Sequence, residues 1–384
     1  MAEPRRVCVV GPGTRFLSGI TYYTYSLIEA LSDAGHQCSA VFIRNLVPVR
    51  LYPGRARVGS ALTQLRLPPG VRHFDGVDWY WGRSLARAVA FLRRERPQVL
   101  VLQWWTGAVL HTYLALALVA RLRGARVVVE FHEAQDVGEA RLPFVSRYMD
   151  LLGRCLLGLT AAQLVHSEFD RGLVKDRYGV NESVALVPHA GYDYLPSRPP
   201  RRDAPAGVIN LLYFGVIRPF KGVEDLIEAL DLLGPDRSRF WLTLIGETWE
   251  GWDLPNRLIA ASPHGDCITF VNRYVTDDEA AGYFAGADIV VLPYHRSSSS
   301  GPLQIAMASG LPLVVTRVGG LIEATGHYPG AVLADPRDPA SLAKGILQAA
   351  ELVGGRFEGV STWADTARGY TELFDTLSSD AVSR

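Results

Sequence analysis

Along the whole chain, short continuous apolar runs alternate with stretches of helical period. RVCVVGP (6–12) is β-branched and ends in glycine and proline, and GITYYTYSLIEALSDAG (19–35) repeats its apolar positions every three to four residues before stopping at glycine. The runs QCSAVFI, QVLVLQWW, ARVVVEFHE, QLVHSE and SVALVPH follow. Continuously apolar runs with helical segments between them predict a parallel sheet covered on both faces. PSRPPRRDAPAG (196–207) has no period and predicts a linker. The alternation then restarts with VINLLYFG, the helical GVEDLIEALDLL, and the runs FWLTLIGE, CITFVNR, ADIVVLP and LPLVVTRVGG. Amphipathic WADTARGYTELFDTLSS closes the pattern as a helix. The expected fold class is α/β, with two doubly wound Rossmann-like parallel-sheet domains, residues 1–195 and 208–363, facing a central cleft where ligands bind at the carboxyl ends of the strands.

Composition narrows the function classes. A chain of 384 residues is too long for one ordinary core, and 48% hydrophobic with 20% charged residues excludes general disorder. Zero formal net charge argues against a nucleic-acid partner. The four cysteines stand far apart, without metal-ligand spacing, and read as thiols in a reducing cytosol. The start MAEPRRVCVVGPG has no apolar signal core, and the longest apolar stretch, AVLHTYLALALVARLRG, is interrupted by His111 and falls short of a ~20-residue span. A cytoplasmic protein is expected. RSLARAVAFLRRERPQ carries Arg83, Arg87, Arg93, Arg94 and Arg96. It reads as a solvated helix face, with contact to an anionic membrane as the alternative.

Candidate chemistry lies at strand ends. GPGTRF (11–16) follows the first strand as a dinucleotide fingerprint would, but Phe16 occupies the third glycine position and the second strand ends in FIRN without a ribose-binding acid, which argues against NAD. The same loop, running on to Ser18 and Gly19, lets a ligand approach the backbone, or is an ordinary strand–helix turn. No Asp-x-Asp pair follows a strand, so a nucleoside diphosphate's charge has to be met by the protein itself. Arg218 and Lys221, between the first strand and helix of the second half, can meet two phosphates, or form a solvated basic turn. His132 and Glu133 lie just past a strand, where the histidine can orient a sugar hydroxyl or move a proton, or be structural. Trp104 and Trp105 end another strand and offer ring faces to an acceptor, or belong to the core. SSSSGPLQIAMASG (297–310) sits between a buried strand and a buried helix, so it is a helix-start loop and not a linker. Its N–H groups around Gly301, Leu303 and Gln304 suit a phosphate, and Pro302 fits the first turn.

The loop before the first helix, GVIRPFKG, FVNRYVTDDEAAGYFAGADIVVLPY, GLPLVVTRVGGLIE and TWADTARGYTELF, in this order, resemble retaining glycosyltransferases of family 4 with the GT-B fold. The resemblance covers nearly the whole chain. It implies sugar transfer from a nucleoside-diphosphate sugar to an acceptor hydroxyl with retention, and no metal or other cofactor. It implies catalytic roles for His132, Arg218 and Lys221. It implies a donor site of Gly19, Gly215, Gly246, Arg273, Tyr274, Ser297, Ser300, Gly301, Pro302, Leu303 and Gln304, with main chain near Arg273 and Tyr274 holding the base. The acceptor side would use Ser18, Trp104, Trp105 and Glu133, for a sugar, natural-product or lipid-linked acceptor. A terminal helix, about 364–384, would pack back on the first domain. One departure stands out: Ser297 and Ile305 occupy the positions of the two glutamates usual in this family. A subgroup lacking that pair is one reading. A GT-B nucleotide-sugar epimerase and a non-catalytic nucleotide-sugar binder are alternatives.

Overall fold

The computed structural model describes residues 3–52, 54, 58–133, 143–180, 184–249 and 251–382. Two compact units divide the chain, one of residues 1–61, 65–190 and 361–384, the other of residues 62–64 and 191–360.

In the first unit the strands are β1 (Arg6–Pro12), β2 (Gln37–Asn45), β3 (Arg72–Asp78), β4 (Val99–Trp104), β5 (Arg126–Phe131), β6 (Ala162–Val165) and β7 (Val184–Leu186). They form one parallel sheet in the order β3-β2-β1-β4-β5-β6-β7. The helices are α1 (Gly19–Asp33), α2 (Gly82–Glu95), α3 (Leu110–Leu122), α4 (Pro143–Leu157) and α5 (Glu168–Tyr178). The crossovers from β3 to β4, β4 to β5 and β5 to β6 all step the same way along the sheet, so right-handed connections place α2, α3 and α4 on one face. Ala88, Phe91, Leu116, Met149 and Leu156 of these helices share a core with Leu100, Leu102, Val127 and Val129.

The second unit repeats the plan. It contains β8 (Ile209–Phe214), α6 (Val223–Asp231), β9 (Phe240–Ile245), α7 (Leu254–Ala261), β10 (Ile268–Val271), α8 (Asp277–Gly286), β11 (Ile289–Leu292), α9 (Gly301–Ala308), β12 (Leu313–Thr316), α10 (Gly320–Thr325), β13 (Ala331–Ala334) and α11 (Pro339–Ala350). Its parallel sheet runs β10-β9-β8-β11-β12-β13. The last helix, α12 (Trp363–Val382), belongs to the first unit, where it packs on α1 and buries Tyr370 and Phe374. In both sheets the strand order reverses beside the first strand, at β1/β4 and β8/β11, which is where doubly wound sheets open a crevice.

Residues 196–207 carry neither helix nor strand, but they are tied down within the second unit. Arg201 N donates to Gly282 O at 2.8 Å and its guanidinium lies 4.6 Å from the centre of the Tyr283 ring. A Cβ at Gly286 would stand 2.2 Å from Arg201 O, so α8 needs glycine where this segment crosses. Among the described residues no helix is long and apolar enough to cross a membrane.

Candidate functional site

In the second unit, the loop after β8 is shaped by glycines. Gly215 has φ +134, and a Cβ there would come 3.3 Å from Pro302 Cγ. A Cβ at Gly246, at the end of β9, would strike Gly215 O at 1.8 Å, so the two strand ends meet backbone to backbone. Arg218 precedes a short 3-10 turn, Pro219–Lys221, which ends at Gly222 with φ +64. Gly222 is pressed against Pro293 O, 1.9 Å from where a Cβ would be. His295 pins the turn from outside: its N–H donates to Phe220 O at 2.9 Å and its ring Nε2 lies 2.8 Å from Asp225 Oδ2 on α6.

This pinning brings Lys221 to the end of β11. Lys221 Nζ lies 3.6 Å from the centre of the Tyr294 ring. Arg218 lies over Phe220 and Trp249 at 5.0 and 5.4 Å. Tyr294 is buried, which pushes its phenol up to about 12, so it stays neutral and offers Lys221 a π face. Its hydroxyl lies 3.4 Å from Ser300 Oγ. Ser300 is the N-cap of α9 and accepts from Leu303 N at 3.3 Å. Pro302 sits in the first turn, and Gly301 lies against Tyr192, 3.3 Å from where a Cβ would be. Gly215, Lys221, Ser300, Gly301 and Pro302 are therefore brought together around Tyr294, with Arg218 at the head of the same turn as Lys221. A helix start beside two cations is chemically an anion site. Sequence reading missed Tyr294 and His295, whose signal is their place directly after the strand ADIVVLP.

The remaining donor residues are placed as follows. Leu303, Gln304 and Ile305 are buried on α9. Ile305 is 3% exposed and part of the core, so it offers nothing polar to a ribose. Ser297 Oγ donates to Ser299 O at 2.7 Å and shapes the loop. The Arg273 side chain is committed to Glu279, 2.5 Å away, and holds that carboxyl down at about 2. Its backbone N–H donates to Val271 O, and Tyr274 O accepts from Arg273 Nη1 at 3.3 Å.

In the first unit, the carboxyl ends of β1, β4 and β5 carry a buried polar network. Gln103 Nε2 donates to Glu130 Oε2 at 3.1 Å, and Thr24 bonds the other end of the same amide. A Cβ at Gly11 would come within 2.3 Å of Gln103 Oε1, so the first glycine of GPGTRF makes room for this amide and not for a dinucleotide. Fully buried Glu130 faces two imidazoles, His132 Nε2 at 3.4 Å and His166 Nε2 at 3.2 Å. His166 Nδ1 also faces Val187 O at 3.0 Å. Two acceptors on one ring favour the imidazolium, and Glu130 raises the His166 pKa against the cost of burial. Burial lowers His132, and burial with the neighbouring His166 lowers His189 to about 3. Tyr23 stands edge-on to His132 at 4.6 Å and tilted against His189 at 4.9 Å. Glu130, His166, His189 and Tyr23 were not singled out from sequence. Among the described residues, two triplets place ligand-type atoms within 4.8 Å of one another, Glu130–His132–His166 and Glu224–Asp225–His295. In both, acid and imidazole pair directly, as given above.

Of the expected acceptor residues, Trp104 is corrected. It is fully buried, stacked on Phe131 at 4.9 Å and tilted on Tyr178 at 5.3 Å, and Gly153 of α4 leaves space for its ring. It is core because it ends β4 on the helix-covered face. Trp105 is half-buried against Tyr113. Glu133 is half-buried, at the border of residues 134–142, which lie outside the described ones. Ser18 caps α1, its N–H donating to Thr21 Oγ1 at 3.2 Å. At Gly19 a Cβ would meet open space, so nothing within the chain demands glycine there.

Residues 18–190 match the glycosyl transferase 4-like domain, and residues 209–351 match the glycosyl transferases group 1 domain. The chain is 30% identical over 331 residues to O-antigen chain mannosyltransferase B of Escherichia coli, covering 77% of this chain and 83% of that protein. It is 32% identical over 184 residues to D-inositol 3-phosphate glycosyltransferase of Pseudarthrobacter chlorophenolicus, a match that spans 42% of this chain and less than half, 44%, of the relative. Among solved structures, HepE of Anabaena in complex with UDP-glucose superposes with a TM-score of 0.62 at 14% identity, covering 99% of this chain and 100% of that one. With two Rossmann-like parallel sheets and these matches over both, the chain belongs to glycosyltransferase family 4 and has the GT-B fold.

Proposed function

We propose that the protein transfers a sugar from a nucleoside-diphosphate sugar to an acceptor hydroxyl, with retention and without a metal. The observation that carries this reading is the pinned Arg218–Lys221 turn beside the Ser300-capped start of α9. As the glycosidic bond breaks, negative charge grows on the departing diphosphate. Arg218, Lys221 and the positive end of α9, whose Leu303 and Gln304 N–H groups are held by Ser300, are fixed before reaction, so they stabilise that charge without reorganising. The solved neighbour holding UDP-glucose supports a nucleotide sugar as donor. The relatives named for inositol phosphate and for an O-antigen mannose chain support a polyhydroxylated acceptor, a sugar or cyclitol. His132, at the carboxyl end of β5 with a lowered pKa, would serve as a neutral hydrogen-bonding group toward the transferred sugar.

Arg218→Ala and Lys221→Ala should each lower kcat/KM by about 2–4 kcal/mol, roughly 30- to 1,000-fold, with an unchanged melting temperature. Normal turnover by both variants would sink the assignment. A thermal-shift panel of uridine, guanosine, adenosine and thymidine diphosphates would name the base, because a ligand of the native state raises the midpoint. Activity that survives a chelator, and a product of unchanged anomeric configuration by NMR, are the expected results for the other two terms of the proposal.

A further inference from the structure

The outer face of the α2–α3–α4 layer is unlike a solvated helix layer. On α2, Arg83, Arg87 and Arg94 are exposed, and their spacing of four and seven residues lines them on one stripe. On α3, Leu118, Arg121 and Leu122 are exposed, with Leu122 at 78%. On α4, Phe144, Arg147, Leu151 and Arg154 are exposed at helical spacing, Phe144 at 71% and Leu151 at 64%. The stripe is thus arginine and large apolar side chains mixed. The two acids on these helices are both paired, Glu95 with Arg72 and Arg94, and Asp150 with Arg177. The face is therefore cationic although the whole chain has no net charge.

Immediately before α2, three aromatic residues in succession, Trp79, Tyr80 and Trp81, are exposed, Tyr80 at 61%. They are not on a loose loop. Trp79 N donates to Asn45 O at 2.9 Å, His111 Nε2 faces Trp79 O at 2.5 Å, and Trp81 Nε1 donates to Thr112 Oγ1 at 2.9 Å. Trp81 itself holds φ +64, a costly conformation for a bulky residue, at the N-cap of α2. The turn spends strain and hydrogen bonds to keep amphipathic rings at the surface.

We propose that this layer is a docking surface for an anionic lipid bilayer. Tryptophan and tyrosine settle at the headgroup level, with an apolar ring and a polar edge. Phe144, Leu151 and Leu122 bury their ends beneath it, and the arginines of all three helices meet lipid phosphates. A protein partner would be expected to cover apolar side chains in a core with charges at the rim. Here arginine and apolar side chains are interspersed along α3 and α4, and α2 adds arginines beside the Trp79–Trp81 turn, the pattern of a surface that meets headgroups and acyl chains at once. The inference stands independently of the sugar-transfer reading, since none of these residues belongs to the donor site.

The test is sedimentation of the full chain with vesicles at physiological salt. Wild type is expected to pellet with vesicles of phosphatidylcholine containing one-third phosphatidylglycerol and to stay in solution with phosphatidylcholine alone. Arg87→Glu/Arg147→Glu and Tyr80→Ser/Phe144→Ser should each weaken binding by about tenfold or more. All four side chains are exposed, so the variants should melt as wild type. Wild type remaining in solution with the anionic vesicles overturns the proposal, as does equal pelleting of both variants. Binding to heparin as tight as to vesicles, and indifferent to Tyr80→Ser/Phe144→Ser, makes the face a polyanion site and overturns the bilayer.

Discussion

A carboxylate with no exposed surface needs compensation, and Glu130 finds it in imidazoles. Removing one side of a buried pair leaves the other charge stranded. Glu130→Leu should therefore cost about 3–5 kcal/mol of stability, and Glu130→Gln less, because a neutral amide lets His166 shed its proton; denaturant midpoints of the two variants would order them. The same cluster sets a pH dependence. The folded pKa of His166 is raised, so its contribution is complete below the unfolded value of 6.5 and is lost as pH rises through the folded value. That of His189 is lowered to about 3, so the unfolded chain takes the proton first and stability falls as pH drops from 6.5 toward 3. Stability should peak near neutrality, and His189→Phe should flatten the acid side of the curve in urea melts at stepped pH. His132 could be read from its place past a strand, but Glu130 could not. On the sequence it is one polar residue within a strand, and its partner His166 lies just past another, β6. Trp104 failed the other way. A residue at a strand end can point at a ligand or under a helix, and only Gly153 on α4 decides it.

Whole elements were most legible where they are fully buried. β1 was read to the residue, and β4, β5, β8 and β9 within a few residues, because an apolar run flanked by glycine or proline has few other uses. β3 and β13 escaped. Both are edge strands, and β3 (RHFDGVD) buries only Val77 fully, so it carries no continuous run. The start of α9 was read correctly as a helix entrance because a buried strand and a buried helix flank it. The Arg218–Gly222 turn shows how much the element depends on backbone fit. Gly222→Ala adds a Cβ against Pro293 O at a left-handed φ, and should cost about 1–3 kcal/mol in strain alone and release Lys221. A lowered melting temperature together with lost nucleoside-diphosphate binding is the expected pair of readouts. Ile305→Glu would place a carboxylate in the core of α9, so it should unfold the unit and not add a ribose contact. Circular dichroism of the purified variant checks this.

At the scale of the molecule, the repeated strand–helix alternation announced two sheets, but sequence order says little about where charge accumulates. A chain of zero net charge gathers arginine on one helical layer because helices far apart in sequence share one sheet face, and that emerges only once the crossovers are known. The first unit is also discontinuous, since it takes α12 from the far end of the chain. Arg5 reaches Asp375 at 2.7 Å, and His36 bonds Thr371 at 3.0 Å, so the first and last segments close it together. A chain ending at Val360 should lose the cooperative melt of the first unit while keeping that of the second, a separation that calorimetry would resolve as one transition lost. The same nesting fixes an order of events at the ribosome. The residues that begin to emerge first belong to the unit that is finished last, while the later-made second unit has nearly all of its chain in one stretch and can complete itself earlier. Until α12 leaves the exit tunnel, the side of α1 on which it packs stays open. The second unit should therefore resist protease on ribosome-bound chains that stop short of α12, while the first should not.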